Sequence, residues 1–161
     1  MRHSLIRFVL VVTCVAGLAL PALAQAPQFG TGLEVADYKT VGYLVEGLSN
    51  DEAEMGLNEN RLQTRVELRL RQAGLVPALA QTGQLPYLSL EVTVHSQAFA
   101  IRLRFMRLVS FSDSGRDYYK NAAVWSTGAT GIHAGDPEYI VGSVDQRLDE
   151  FLNEYLKVNQ G

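Results

Sequence analysis

One cysteine, one tryptophan and three histidines are all that the 161 residues offer of the side chains most often used for redox, stacking or metal chemistry. The cysteine, Cys14, lies in an N-terminal stretch that reads as a secretory signal. A chain cleaved after that stretch has no disulfide, no thiolate nucleophile and no cysteine-ligated metal, and holds together by burial alone. A basic excess is also missing. Lys and Arg total 14 against 17 Asp and Glu, a formal charge of −3 that becomes −5 once Arg2 and Arg7 are removed. Such a domain lacks the phosphate-neutralising surface that a nucleic-acid binder needs. Long apolar runs are absent as well. The longest, Phe8 to Leu20, falls short of the roughly 20 residues of a spanning helix.

That run fits the apolar core of a signal peptide. Arg2 and Arg7 precede it, Pro21 breaks it, and Ala22-Leu23-Ala24 places small residues before a cut between Ala24 and Gln25. The expected product is periplasmic or secreted. Cys14, preceded by Val11-Val12-Thr13, is a rival reading as a lipidation site, but the apolar run continues past it to Leu20, where a lipidation motif would end. The predicted organisation is a signal peptide over 1–24, a flexible leader over 25–39 and one α+β domain over 40–161.

The domain is organised around a strand pair. From Tyr87 to His95 apolar and polar residues alternate, with Leu88, Leu90, Val92 and Val94 on one face and Tyr87, Ser89, Glu91, Thr93 and His95 on the other. From Ala98, the residues Phe99, Ile101, Leu103 and Phe105 share a face. A turn at Ser96-Gln97 sets Val94 against Phe99, Val92 against Ile101, Leu90 against Leu103 and Leu88 against Phe105, and puts Glu91 opposite Arg102. A slip of one residue would mate core with solvent. Arg107 falls on the apolar parity, so either a bulge near Met106 re-aims the strand and exchanges the faces of Met106 and Leu108 with it, which is the expectation, or Arg107 lies past the edge of the core. A strand from Tyr118 to about Thr127 follows the turn Ser112–Asp117. Two registers stay open for it, one setting Trp125 against Phe105 in the core and one setting it over Arg104 outside. Val41 to Leu48 reads as a first strand, and Val76 to Leu85, with Pro77 and Gly83, as a connection.

Two helices are predicted. Asn58, with Asn60 as the alternative, caps the first, Leu62, Val66, Leu70 and Ala73 form its apolar stripe, and Gly74 with Leu75 ends it in a Schellman turn. Asp136-Pro137-Glu138 opens the second, which runs to about Val158 with Ile140, Val144, Leu148, Phe151, Leu152, Tyr155 and Val158 on one face. The order β-α-β-β-β-α is satisfied by two helices on one face of a four-stranded, mostly antiparallel sheet.

No residue pattern specifies a cofactor or a metal. His133 lies near Ser126, Thr130 and Asp136 in a small-residue loop, from which a Ser–His–Asp hydrolase is one reading, although the nucleophile-elbow pattern is absent. The same loop is a weaker candidate for an anion. His95 lacks metal-ligand partners at a recognised spacing, Asp149-Glu150 lies on a polar helix face, and of Tyr118-Tyr119 one is expected in the core. Arg61, Arg65 and Arg69 form a like-charged stripe, read as a solvated face or as an anion-binding edge for acidic lipid, glycan or a partner.

Three stretches, Glu67-Leu-Arg-Leu-Arg-Gln-Ala-Gly74, Leu85-Pro-Tyr-Leu88 and Leu148-Asp-Glu-Phe-Leu-Asn-Glu-Tyr-Leu-Lys-Val-Asn159, resemble small exported bacterial α+β proteins of uncharacterised families. The layout is similar to that of envelope accessory proteins of the lipopolysaccharide-assembly lipoprotein type. This resemblance implies a fold and an envelope setting and carries over no functional residue. The expected role is a non-enzymatic binding or assembly protein that meets an envelope protein or an anionic lipid or glycan through Tyr87, Glu91, His95, Arg102 and Arg104. The small hydrolase is the alternative.

Overall fold

The computed structural model describes residues 30–46, 48, 55–81 and 86–161. The predicted signal peptide, its cleavage site and Cys14 lie outside the described residues. The elements in chain order are β1 (Thr40–Val45), α1 (Glu59–Gln72), β2 (Val76–Leu79), β3 (Tyr87–His95), β4 (Ala98–Asp113), β5 (Arg116–Ile132) and α2 (Pro137–Gln160). They form one mixed α+β unit with a five-stranded sheet in the order β2-β1-β3-β4-β5.

The β3–β4 register is the expected one at every step, including Leu88 with Phe105, Val94 with Phe99 and Glu91 with Arg102. The count of four strands is corrected to five, while the sheet remains mostly antiparallel along its ladders. Val76–Leu79, read as a connection because of Pro77, is a strand parallel to β1. β1 is also parallel to β3, while β3–β4 and β4–β5 are antiparallel. Proline is tolerated there because β2 is an edge strand, where one side of the backbone needs no ladder partner. The run β1-α1-β2 is thus a crossover returning the chain parallel to itself.

Both helices cover one sheet face. α1 packs on β1 and β2, and α2 on β4 and β5. The core joins Leu62, Val66 and Leu70 of α1 and Ile140, Val144, Leu148 and Phe151 of α2 to Val41, Tyr43, Leu90, Leu103 and Phe105 of the sheet. The caps follow from the local sequence. Asn58 accepts from the Arg61 amide at 2.8 Å, and Asp136 from the Glu138 amide at 2.9 Å with Pro137 in the first turn. At the end of α1, Gly74 has φ +76° and the Leu75 amide reaches the Leu70 carbonyl at 3.0 Å, closing the Schellman motif.

β4 and β5 shift register between Phe105 and Met106, but the extra residue is Val124 of β5, so β4 is not re-aimed as the bulge reading required and Arg107 keeps the parity of Phe105, past the edge of the core. Trp125 stands opposite Phe105 on the helix side. It is half-buried, edge-on to Phe151 at 5.3 Å, and donates from Nε1 to Glu154 at 2.7 Å. β5 extends to Ile132, so residues 128–132, read as the start of the small-residue loop, are strand.

The flexible leader is corrected over residues 30–39. Leu33 is fully buried in the core. Asn159 of α2 accepts from the Val35 amide and donates to the Leu33 carbonyl, both at 3.0 Å, and Tyr155 donates to the Tyr38 carbonyl at 3.1 Å. Arg107 donates to the carbonyls of Gly32 and Glu34 at 3.0 and 2.8 Å. The same contacts explain why Arg107 sits on the helix side: its charge ends in a cage of carbonyls at the edge of the core.

Two tyrosines tie the layers together. Tyr43 of β1 donates to Glu67 of α1 at 2.5 Å, and its pKa is pushed up to about 12 by burial and then by that carboxylate. Burial pushes Tyr155 up to about 12 as well. Raised folded-state values mean that the fold favours the neutral phenols. Their contribution is complete below the unfolded value near 10 and is lost as pH rises through about 12. Urea midpoints are expected to fall across that window, and Tyr43→Phe should flatten part of the fall. A variant with the same alkaline slope as the parent would contradict this linkage.

Candidate functional site

With both helices on one side, strand alternation leaves the other side of the sheet to polar residues. Tyr87, Ser89, Glu91, Thr93 and His95 come from β3, Arg102 and Arg104 from β4, and Ser126, Gly128 and Thr130 from β5, which is in register with them. The expected face therefore exists as one surface. Sequence reading missed its β5 residues, because the β5 register was open, and missed Glu46. Glu46 follows directly on β1 with the parity of Thr40, Gly42 and Leu44, which is the signal that would have placed it.

Glu46 organises the centre of the face. It accepts from Ser89 Oγ at 2.5 Å and from Arg104 at 2.6 Å. Arg104 also reaches Glu91 at 3.2 Å, and Glu91 accepts from Arg102 at 3.1 Å. Ser89 is only 1% exposed despite its place on the open side. The two acids and two arginines balance in charge, so the face is a dipolar patch. Exposed pairs of this kind contribute at most about 1 kcal/mol each. Their effect is to hold donors and acceptors in fixed positions.

Beside this network runs a groove of about 270 Å³ lined by Glu91, Thr93, Ala100, Arg102, Gly128 and Thr130. Its floor is low because Ala100 and Gly128 are small. A Cβ on Gly128 would stand 2.7 Å from the Ile101 carbonyl oxygen, so the strands can approach here only with glycine. Tyr87 is half-buried at one end of the face, and His95 is exposed at the other.

The arginine stripe has a different part. Arg61 pairs with Glu138, Arg65 with Asp145 through both Nε and Nη2, and Arg69 with Asp149. Each arginine of α1 thus meets an acid of α2, and the hydrogen bond to Asp145 raises the Arg65 pKa. The charges read as an anion edge are engaged between the helices.

The other singled-out residues do not come together. His133 is buried, accepts at Nδ1 from the Gly135 amide at 3.0 Å and meets the Ser96 carbonyl through Nε2 at 2.9 Å. Those two contacts pin the β3–β4 turn to the approach to α2. Ser126 stands opposite Arg104 on the open face, six ladder steps or about 20 Å from Ile132, the residue before His133. Asp136 caps α2. The Ser–His–Asp reading is corrected on this geometry, since the three groups share neither a face nor a cavity. Asp149 and Glu150 are engaged by Arg69 and by Arg147 with Thr127. Tyr118 stacks on Phe111 at 5.3 Å, and both Tyr118 and Tyr119 are exposed, so neither is in the core. No helix among the described residues is long and apolar enough to cross a membrane.

No protein-family model matches the chain, and neither does any curated protein. Among solved structures, a minor lipoprotein from Acinetobacter baumannii matches at 10% identity and a TM-score of 0.24, over 74% of this chain and 89% of that one; neither fold nor role is transferred from it.

Proposed function

We propose that this is a non-enzymatic binding or assembly accessory protein of the bacterial envelope, exported by its N-terminal segment, which receives a protein partner on the open sheet face. The observation that carries this reading is the pre-set network Glu46–Arg104–Glu91–Arg102 beside the Thr93–Thr130 groove, on a face that neither helix covers. The docking residues are Tyr87, Glu91, His95, Arg102 and Arg104. Export is supported by the sequence of residues 1–24.

Arg102 is the residue to test, because it is 61% exposed and its salt bridge is to Glu91 alone, whereas Arg104 holds two acids. Arg102→Glu is expected to lower in-cell cross-linking to envelope proteins about tenfold, a loss of about 1.4 kcal/mol in affinity, while circular dichroism stays that of the parent. Unchanged cross-linking would overturn the reading.

A further inference from the structure

The two edges of the sheet are built differently. β2 is four residues long and contains Pro77, a protected edge. β5 is seventeen residues long, and from Asn121 to Ile132 it carries no charge and no proline. Its single irregularity is at Val124. An open, uncharged backbone edge of that kind from Asn121 to Ile132, with Arg116, Asp117 and Lys120 confined to the turn end of the strand, is a template for another strand.

The exposed side chains on β5 identify that strand. Ile132, at 69%, and Tyr119, at 68%, are the most exposed large apolar residues described. They stand opposite Ala98 and Ser110 of β4, so both lie on the open face. Half-way between those two β4 positions is Arg104, whose β5 partner is Ser126. A two-fold axis through Ser126, perpendicular to the sheet, therefore lays Ile132 of one copy against Tyr119 of the other. Counted along the β4 ladder, the same axis sets Trp125 against Thr127, Gly128 against Ala123, Ala129 against Ala122 and Thr130 against Asn121. No pair brings like charges together, and the bulge at Val124 falls symmetrically on either side of the axis.

We propose that β5 is a self-association edge: two copies of this chain pair their β5 strands antiparallel about Ser126, forming one ten-stranded sheet whose two open faces are continuous. Each Ile132 side chain is covered by the Tyr119 ring across the axis, and the register is set by these two contacts.

Sedimentation equilibrium of the full chain tests this. The parent is expected at twice its monomer mass. Ile132→Glu and Tyr119→Lys, each at a largely exposed position, should weaken association about tenfold or more without changing the circular dichroism. The double variant should recover dimerisation, because its opposite charges face each other across the axis. A parent at monomer mass would overturn the proposal, as would a dimer indifferent to Ile132→Glu. Failure of the double variant to recover would overturn the Ser126 axis. None of these outcomes depends on the envelope partner, so this test and the Arg102 test fail separately.

Discussion

Phe151→Ala is expected to destabilise the protein by about 3–5 kcal/mol, the usual range for a buried phenylalanine truncated to alanine. Phe151 is fully buried at the centre of an aromatic cluster. Its ring lies 5.6 Å from Phe105, 5.3 Å from Trp125 and 5.1 Å from Tyr155, joining α2 to both long strands. Each such pair adds about 0.5–1.5 kcal/mol beyond area burial, so the loss belongs in the upper part of the range. Against a typical total stability of about 5–15 kcal/mol, that leaves a marginal fold. Urea denaturation followed by the emission of Trp125 measures it, and the native emission should itself move to longer wavelength as the ring loses its neighbour. A cost below about 1 kcal/mol would mean that α2 does not pack as described.

The second large effect lies where the sequence promised none. Leu33→Ala is expected to cost about 2–5 kcal/mol, the value for a core leucine. A leucine in a free leader would change stability by less than about 0.5 kcal/mol. The structure favours the larger figure because Leu33 is fully buried and its backbone carbonyl is held by Asn159. Nearby, Gly32 has φ +87° and packs so that a Cβ would meet Val124 Cβ at 2.7 Å, which fixes the path of the segment against the β5 bulge. Chemical denaturation of the single variant decides between the two readings, and a midpoint equal to the parent's would restore the leader.

What could be read in advance was what is local or repeated. The β3–β4 register was legible because four apolar pairs and the Glu91–Arg102 pair all select it. The start of α2 was legible in Asp136-Pro137-Glu138, and the end of α1 in Gly74-Leu75. What was not legible depends on distant partners. Arg61 and Arg65 looked like a solvated stripe because their acids lie 77 and 80 residues away. Residues 128–132 looked like a loop because Gly128 and Gly131 resemble turn formers. In the fold, they are glycines because a Cβ would strike Ile101 oxygen at one and the Phe99 ring at the other. β2 was hidden by Pro77, and Leu33 by the preceding Gly30 and Gly32, which gave it no periodic company. Of the candidate site, the β3 and β4 contributions were visible, while Glu46 and the β5 floor required the sheet order.

The hold of Asn159 and Tyr155 on residues 33–38 also governs the order in which the chain completes itself. These contacts join positions 117 to 126 residues apart, so they close almost the longest loop the described chain permits. The β3–β4 and β4–β5 hairpins need only their neighbours and are free to form early. Leu33, although among the first of the domain's residues to be synthesised, lacks its partners until Tyr155 and Asn159 have followed. The N-terminal end of the domain is thus made first and seated last, because the contacts that hold it wait for the last turns of α2.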